Sequence, residues 1–171
     1  MALLKDYIRD VPDFPQTGII FRDICPLLQD RRAFKEAVNT LANKHRNQGI
    51  DLVVAVEARG FIFGGAIAYE LGAGFVPVRK KGKLPAEKYS VTYDLEYGTD
   101  TLEIHQDAIN PGAKVLIVDD LLATGGTVDS VTALIQQLQG NVVGIAFLIE
   151  LTALNGREKL NKYPVYSLIK Y

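Results

Sequence analysis

Apolar residues along this chain fall into short unbroken runs separated by stripes at helical spacing, and that alternation predicts a layered α/β fold. Leu52–Val56, Phe75–Val78, the run from Val115 to Val118, and Val142–Leu151 are almost wholly apolar. Such runs fit strands buried on both faces of a parallel sheet. Between them, Val38, Leu41 and Ala42 mark an amphipathic helix from Phe34 to the stop at Gly49. A second helix is expected over Phe61–Leu71, with Gly64, Gly65 and Ala66 on a packing face and Gly72 as its stop. A third carries Val128, Val131, Leu134, Ile135 and Leu138 before Gly140. Tyr89–Leu95 and Leu102–Gln106 alternate apolar with polar around Tyr97-Gly98-Thr99-Asp100, which predicts an antiparallel hairpin. Short helices at Leu3–Arg9 and Arg157–Leu160 and a last strand at Val165–Ile169 complete the pattern. The rest of residues 1–32, punctuated by Pro12, Pro15 and Gly18, reads as an arm with little regular structure. Strands alternating with helices argue for a right-handed, mostly parallel sheet in one domain, residues 1–171.

The chemistry concentrates where strands end. Val115 to Thr127 reads VLIVDDLLATGGT, a strand running into two acids, then a glycine loop, then a helix. A helix N-terminus with unpaired backbone N–H groups is an anion site suited to phosphate. Two carboxylates beside such a cradle would repel a bare anion. They make sense if Asp119 and Asp120 accept hydrogen bonds from a sugar diol while Ala123, Thr124, Gly125, Gly126 and Thr127 hold its 5′-phosphate. No Lys follows the glycines and no G-x-G-x-x-G is present, so this is neither a Walker loop nor a dinucleotide fingerprint. After the first strand, Glu57-Ala58-Arg59 offers a second anion loop: Arg59 either aims its planar fork at a diphosphate or pairs with Glu57. Loops of this kind meet at the carboxyl edge of an open α/β sheet.

Three further segments carry candidate roles. Arg79-Lys80-Lys81-Gly82-Lys83 puts four cations around a glycine, a solvated loop or a lid over a polyanion, within a mobile hairpin region of about residues 79–106. Gly18–Ile24 is either an edge strand or a hood, within about residues 10–30, in which Phe21 stacks on a flat base and backbone groups around Ile20 and Arg22 read its edge. Leu151 ends its strand as core or as the other face of that base slot. Glu96, at the hairpin turn, is a candidate acid or base. His45 falls on or near the buried stripe of its helix and reads as a satisfied helix-surface histidine, not a ligand, and His105 reads as an exposed strand residue, since no second ligand stands at metal spacing.

Composition narrows the rest. A formal net charge of -1 gives no general attraction for nucleic acid or membrane. One cysteine, Cys25, rules out an internal disulfide and is expected to be a buried spectator in a reducing compartment. The lack of a long apolar run makes a cytoplasmic location the expectation.

The hydrophobic-Asp-Asp-x-x-x-Thr-Gly-Gly-Thr string resembles the phosphoribosyl pyrophosphate signature of the type I phosphoribosyltransferases. Val11-Pro12-Asp13-Phe14-Pro15, Phe21-Arg22-Asp23-Ile24, Arg59-Gly60-Phe61, Lys81-Gly82-Lys83-Leu84-Pro85, Leu95-Glu96-Tyr97-Gly98 and Gly156-Arg157-Glu158-Lys159-Leu160 resemble the adenine-specific branch, in order and over nearly the whole chain. The resemblance implies a mostly parallel sheet flanked by helices, with a small hood and a β-hairpin lid. It implies a purine-salvage glycosyltransferase in which adenine and phosphoribosyl pyrophosphate give AMP and pyrophosphate. Mg²⁺ would arrive on the substrate without a dedicated set of protein ligands, and the enzyme would be a homodimer. Ile20, Phe21, Arg22 and Leu151 would hold adenine. Glu57, Ala58 and Arg59 would form the diphosphate loop, with Arg79, Lys80 and Lys83 in the lid and Glu96 near the purine. Glu57-Ala58 departs mildly from the family, which often has a small polar residue and an acid there. A 6-oxopurine substrate would want a lysine-type donor that the apolar hood does not offer, and a regulator that binds without catalysis would want a nucleic-acid face.

Overall fold

The computed structural model describes residues 3–94 and 99–171. After a 3-10 turn at Leu4–Tyr7, strands β1 (Arg9–Pro12) and β2 (Ile20–Asp23) pair antiparallel as a two-stranded sheet of their own. The opening arm is thus more regular than its sequence suggests. It pairs Val11 with Phe21 and Pro12 with Ile20, a register that no local alternation announces. Two helices follow: the short α1 (Cys25–Gln29), then α2 (Arg31–His45), which begins three residues before Phe34 because the Asp30 side chain caps the amides of Arg32 and Ala33. Cys25 is exposed at the start of α1, not buried as expected, because it sits on the solvent side of the turn out of β2.

The main chain then alternates: β3 (Leu52–Val56), α3 (Arg59–Leu71), β4 (Gly74–Lys80), the hairpin β5 (Lys88–Asp94) and β6 (Thr99–His105), β7 (Lys114–Leu122), α4 (Gly126–Gln137), β8 (Asn141–Glu150) and β9 (Val165–Lys170). Short 3-10 turns at Thr152–Leu154 and Gly156–Glu158 lie between β8 and β9. Seven strands form one sheet in the order β5-β6-β4-β3-β7-β8-β9. The five strands from β4 to β9 run parallel, and the hairpin adds antiparallel to β4 through Arg79↔Glu103 and Lys80↔Leu102.

Alternation along each central strand supplies two cores, one per face. Val53, Leu116, Val118, Ala146 and Leu148 pack with α2 and α3, whereas Val54, Ile117, Ile145 and Phe147 pack with α4 and the hairpin. The runs on β3, β7 and β8 are therefore buried on both faces, but Phe75–Val78 on β4 is not: Val76 and Val78 are buried while Phe75 is 38% exposed and Pro77 half-buried, because only one face of that strand is fully covered. Mid-helix, α3 approaches the sheet through Gly64, on which a Cβ would lie 2.5 Å from the Ala55 Cβ. Gly65 faces open space, so the small residues of α3 split between two sides instead of forming one packing face. His45 is buried, with Nδ1 3.0 Å from Gln48 Oε1. That agrees with its place on or near the buried stripe of the helix, and β8 covers it because Gly144 leaves room for the ring.

Candidate active site

Strands β3 and β7 are neighbours, so their C-terminal loops converge. The strand β7 does not stop at its acids. It continues through Leu122, because Leu121 and Leu122 pair with Ile149 and Glu150 of β8. Asp119 and Asp120 thus stand on a rigid strand, not on a loop. Asp119 Oδ1 accepts from the Asp120 amide at 2.9 Å, and a Cβ on Gly60 would come within 2.7 Å of that oxygen. Gly60 is what lets the start of α3 lie against this carboxylate. Burial pushes the Asp119 carboxyl well above its ordinary value, and the Asp120 charge adds to it. Burial also raises Asp120, against the opposing pull of Arg59.

Arg59 opens α3 and sets its Nε 2.8 Å from Asp120 Oδ2. The pair is ionic without being a well-aligned hydrogen bond: Asp120 Oδ2 is buried with no hydrogen-bond partner among the described residues. The pairing of Arg59 with Glu57 that the sequence offers is not made. Glu57 is unavailable to it, because Arg79 Nε and Nη2 lie 3.0 and 3.4 Å from the Glu57 oxygens and the Lys80 amide 3.2 Å. Those donors hold the Glu57 carboxyl below its ordinary value. Ala58, between them, is exposed and caps α3 without a side-chain bond.

Beyond Leu122, Ala123 and Thr124 lead to Gly125, which takes φ 82 as the N-cap of α4. A positive φ there is easy only for glycine, and a Cβ would strike the Gly156 carbonyl at 2.5 Å. Gly156 in turn abuts the Ala123 carbonyl. The glycine loop is therefore backed, main chain on main chain, by the turn after β8. Helix α4 begins at Gly126, so Gly126, Thr127 and Val128 supply first-turn amides with no intrahelical acceptor. A Cβ on Gly126 would lie 3.8 Å from Lys159 Nζ and 4.0 Å from the Tyr93 ring. Lys159 was not singled out from the sequence as a site residue. Its signal was position alone, three residues after a glycine turn.

The hood stands across from the acids. A cavity of about 480 Å³ lies between β2 and the segment after β8, lined by Ile20, Phe21, Arg22, Arg59, Leu151 and Tyr171 among others. Phe21 faces Arg59, whose Cζ is 5.0 Å from the ring centroid, and meets Phe14 edge-on at 5.2 Å. Tyr171 had no sequence signal at all.

The basic segment is partly strand. The sequence placed Arg79 and Lys80 in a loop; β4 extends through both, because β6 supplies pairing partners and the two cations find acids. Lys80 Nζ is 3.1 Å from Asp100 Oδ2, and Arg79 Nη1 is 3.2 Å from the Lys83 carbonyl. Gly82, at φ 79, donates its amide to Glu103 Oε2 at 2.9 Å. Lys81 and Lys83 are exposed. Glu96 lies outside the described residues.

Residues 27–170 match the phosphoribosyl transferase domain family. The chain is 59% identical to the adenine phosphoribosyltransferase of Trichlorobacter lovleyi over the whole of both chains. The chain belongs to the adenine phosphoribosyltransferases. The crystal structure of adenine phosphoribosyltransferase from Thermoanaerobacter pseudethanolicus matches it with a TM-score of 0.95 at 55% identity, covering 98% of each chain. That of the Saccharomyces cerevisiae adenine phosphoribosyltransferase, complexed with an imino-altritol bisphosphate and adenine, matches with a TM-score of 0.91 at 43% identity over 96% of each. The mostly parallel sheet with flanking helices and a small antiparallel hairpin is the type I phosphoribosyltransferase fold. The domain match begins after β2, whereas the relationship to whole adenine phosphoribosyltransferases includes the hood.

Proposed function

We propose that the convergent loops and the hood make AMP, moving 5-phosphoribosyl from phosphoribosyl pyrophosphate to adenine and releasing pyrophosphate. This is the purine-salvage transfer of the family. The observation that carries the residue assignment is the pairing of a strand end bearing two carboxylates, Asp120 buried and Asp119 half-buried, with a helix N-terminus at Gly126, across from an aromatic-lined cavity.

In this reading the ribose diol donates to Asp119 and Asp120, and the Asp120 oxygen without a hydrogen-bond partner awaits such a donor. The 5′-phosphate sits on the amides of the Ala123–Thr127 loop. Adenine lies in the cavity between Phe21 and Leu151, with main-chain groups of Ile20 and Arg22 at its edge. The purine nitrogen forms a bond to the anomeric carbon as the carbon–oxygen bond to pyrophosphate breaks, through a sugar with oxocarbenium character. The two acids stabilise that cation. Arg59, the amides of Glu57 and Ala58, and the cations of Arg79, Lys80 and Lys83 stabilise the departing charge. Glu96 serves the purine as acid or base. Residues 10–30 form the hood and residues 79–106 a lid of one domain, and lid closure keeps water from the activated ribose.

Mg²⁺ arriving with phosphoribosyl pyrophosphate would supply further charge neutralisation. The residues fit a metal that would come with its substrate: Asp119 and Asp120 lie at the strand end where, in this reading, the sugar hydroxyls would meet the diphosphate. The outward face of α3 carries Ile62 and Tyr69, seven residues apart and 40% and 86% exposed. We assign this face to a homodimer contact; Tyr69→Glu should convert the dimer to monomer in light scattering. No helix among the described residues is long and apolar enough to cross a membrane, and a cytoplasmic site of action fits the substrates.

The test is product analysis with phosphoribosyl pyrophosphate and adenine, hypoxanthine or guanine, with and without Mg²⁺. AMP alone, dependent on Mg²⁺, is the expected outcome. IMP or GMP would overturn the base assignment, and tight phosphoribosyl pyrophosphate binding without product would make the protein a sensor.

A further inference from the structure

Tyr171 follows β9 and belongs to none of the motifs above, yet it touches both walls of the base cavity. Its ring lies between two cations, with Lys5 Nζ 3.9 Å and Arg22 Cζ 3.8 Å from the centroid. Arg22 sits on β2, one wall. It forms an ion pair with Asp10 across the hood hairpin, and its Nε is buried with no hydrogen-bond partner among the described residues. The aromatic face therefore gives this guanidinium an attractive contact where hydrogen bonding is incomplete. The main chain of Tyr171 reaches the other wall. Its amide donates to the Glu150 carbonyl at 3.0 Å. Its own carbonyl accepts from the Thr152 amide at 2.9 Å and from Thr152 Oγ1 at 2.5 Å. Leu151 is held between those two anchor points.

The hood needs such an external reference. Strands β1 and β2 make a two-stranded sheet with four residues each, and an isolated hairpin of that size has little stability of its own. Its distance from Leu151 must be set by contacts outside the hairpin. The Tyr171 ring supplies one on the base side. Burial and the nearby Asp10 carboxylate keep the phenol above its ordinary value, so the ring stays neutral between its cations.

We propose that Tyr171 is a positioning residue for base recognition: through Arg22 it sets the spacing between β2 and Leu151, and so the width of the slot that takes a flat purine. It acts through the hood and does not reach the reacting atoms. The proposal rests on the AMP-forming reading of the site.

Steady-state kinetics with each substrate varied in turn test it, on the full chain and on Tyr171→Phe, Tyr171→Leu, Arg22→Met and the double variant Arg22→Met/Tyr171→Leu. Tyr171→Phe keeps the ring and should stay within about twofold of the parent in every constant. Tyr171→Leu should raise the KM for adenine by roughly five- to tenfold and leave that for phosphoribosyl pyrophosphate within about twofold. The double variant should be no worse for adenine than Arg22→Met alone, because the two residues act as one unit. Melting curves accompany each protein, and Tyr171→Met replaces Tyr171→Leu if the latter does not fold. Equal rises in both KM values, a fall in kcat alone, or a Phe variant as damaged as the Leu variant would overturn the role of Tyr171 while leaving the function intact. A parent protein that forms no AMP from adenine would instead overturn the function itself.

Discussion

Asp120 and Glu150 stand near the ends of adjacent parallel strands, each buried and each within 3 Å of an arginine, yet the two pairs are built for opposite ends. Glu150 is saturated. Arg157 meets it with two donors at 2.6 and 2.8 Å, and the same guanidinium also reaches the Val165 carbonyl and Ser167 Oγ. That fork holds the Glu150 carboxyl below its ordinary value. Asp120 meets Arg59 through one contact, keeps an oxygen without a hydrogen-bond partner, and is pushed up. A saturated buried pair closes the strand end as structure. An unsaturated one stores binding capacity at the expense of stability.

Neutralising each acid should therefore move stability in opposite directions, and the largest effect on rate falls on the unsaturated one. Asp120→Asn should lower kcat by about 10²–10³-fold, the scale of losing one preorganised electrostatic contact to a transition state. It should also melt above the parent at neutral pH. A carboxyl raised in the fold favours the protonated form, so its charged form destabilises the fold above the folded pKa, and the penalty is gone below the ordinary value of 3.8. The advantage of Asn should accordingly shrink on acidification. Melting curves across pH check the sign; a lower midpoint than the parent at neutral pH would break the contrast.

Next in size, Arg157→Ala should cost on the order of 3 kcal/mol of stability, the low end for stripping a buried charge of its partner, because Arg157 itself is 40% exposed. Denaturant unfolding measures it, and kcat of the folded protein should stay within about twofold because no transition-state contact is lost. Glu150 has the opposite pH sign. Its lowered carboxyl contributes stability above the ordinary value of 4.5, lost as the pH falls through the folded pKa. The deficit of Arg157→Ala should thus narrow in acid while the protein remains folded.

Phe21→Ala should raise the adenine KM by about tenfold, the loss of one aromatic face, and leave that for phosphoribosyl pyrophosphate nearly unchanged. The smallest effect belongs to Lys159→Ala. An exposed cation near the Gly126 amides should change the KM for phosphoribosyl pyrophosphate by about two- to fivefold, in a salt-dependent way. No salt dependence would remove Lys159 from the cradle.

Local chemistry was legible where it was contiguous. The Asp119–Thr127 string names strand, acids, glycine loop and helix in one reading, and doubly buried strands announce themselves by unbroken apolar runs. Pairing was not legible. Arg59 lies two residues from Glu57 but pairs with Asp120, because β4 delivers Arg79 to Glu57 first. The extension of β4 through Lys80 depends on a hairpin partner more than twenty residues away, so cations that look like a loop in isolation become strand. The hood register pairs residues 9–12 with 20–23 across a turn that no local alternation announces, and the contact of Tyr171 with Arg22 joins segments that no window of sequence contains together.

The hood's separation from the seven-stranded sheet also divides the labour of recognition. The sugar and phosphate contacts proposed here come from strand ends and helix starts embedded in that sheet. Much of the slot for the base comes from a four-by-four ribbon that shares no strand with it. A lineage could therefore revise which heterocycle it accepts by editing a dozen or so residues in one short stretch, while the machinery that grips the activated sugar stays under unaltered selection.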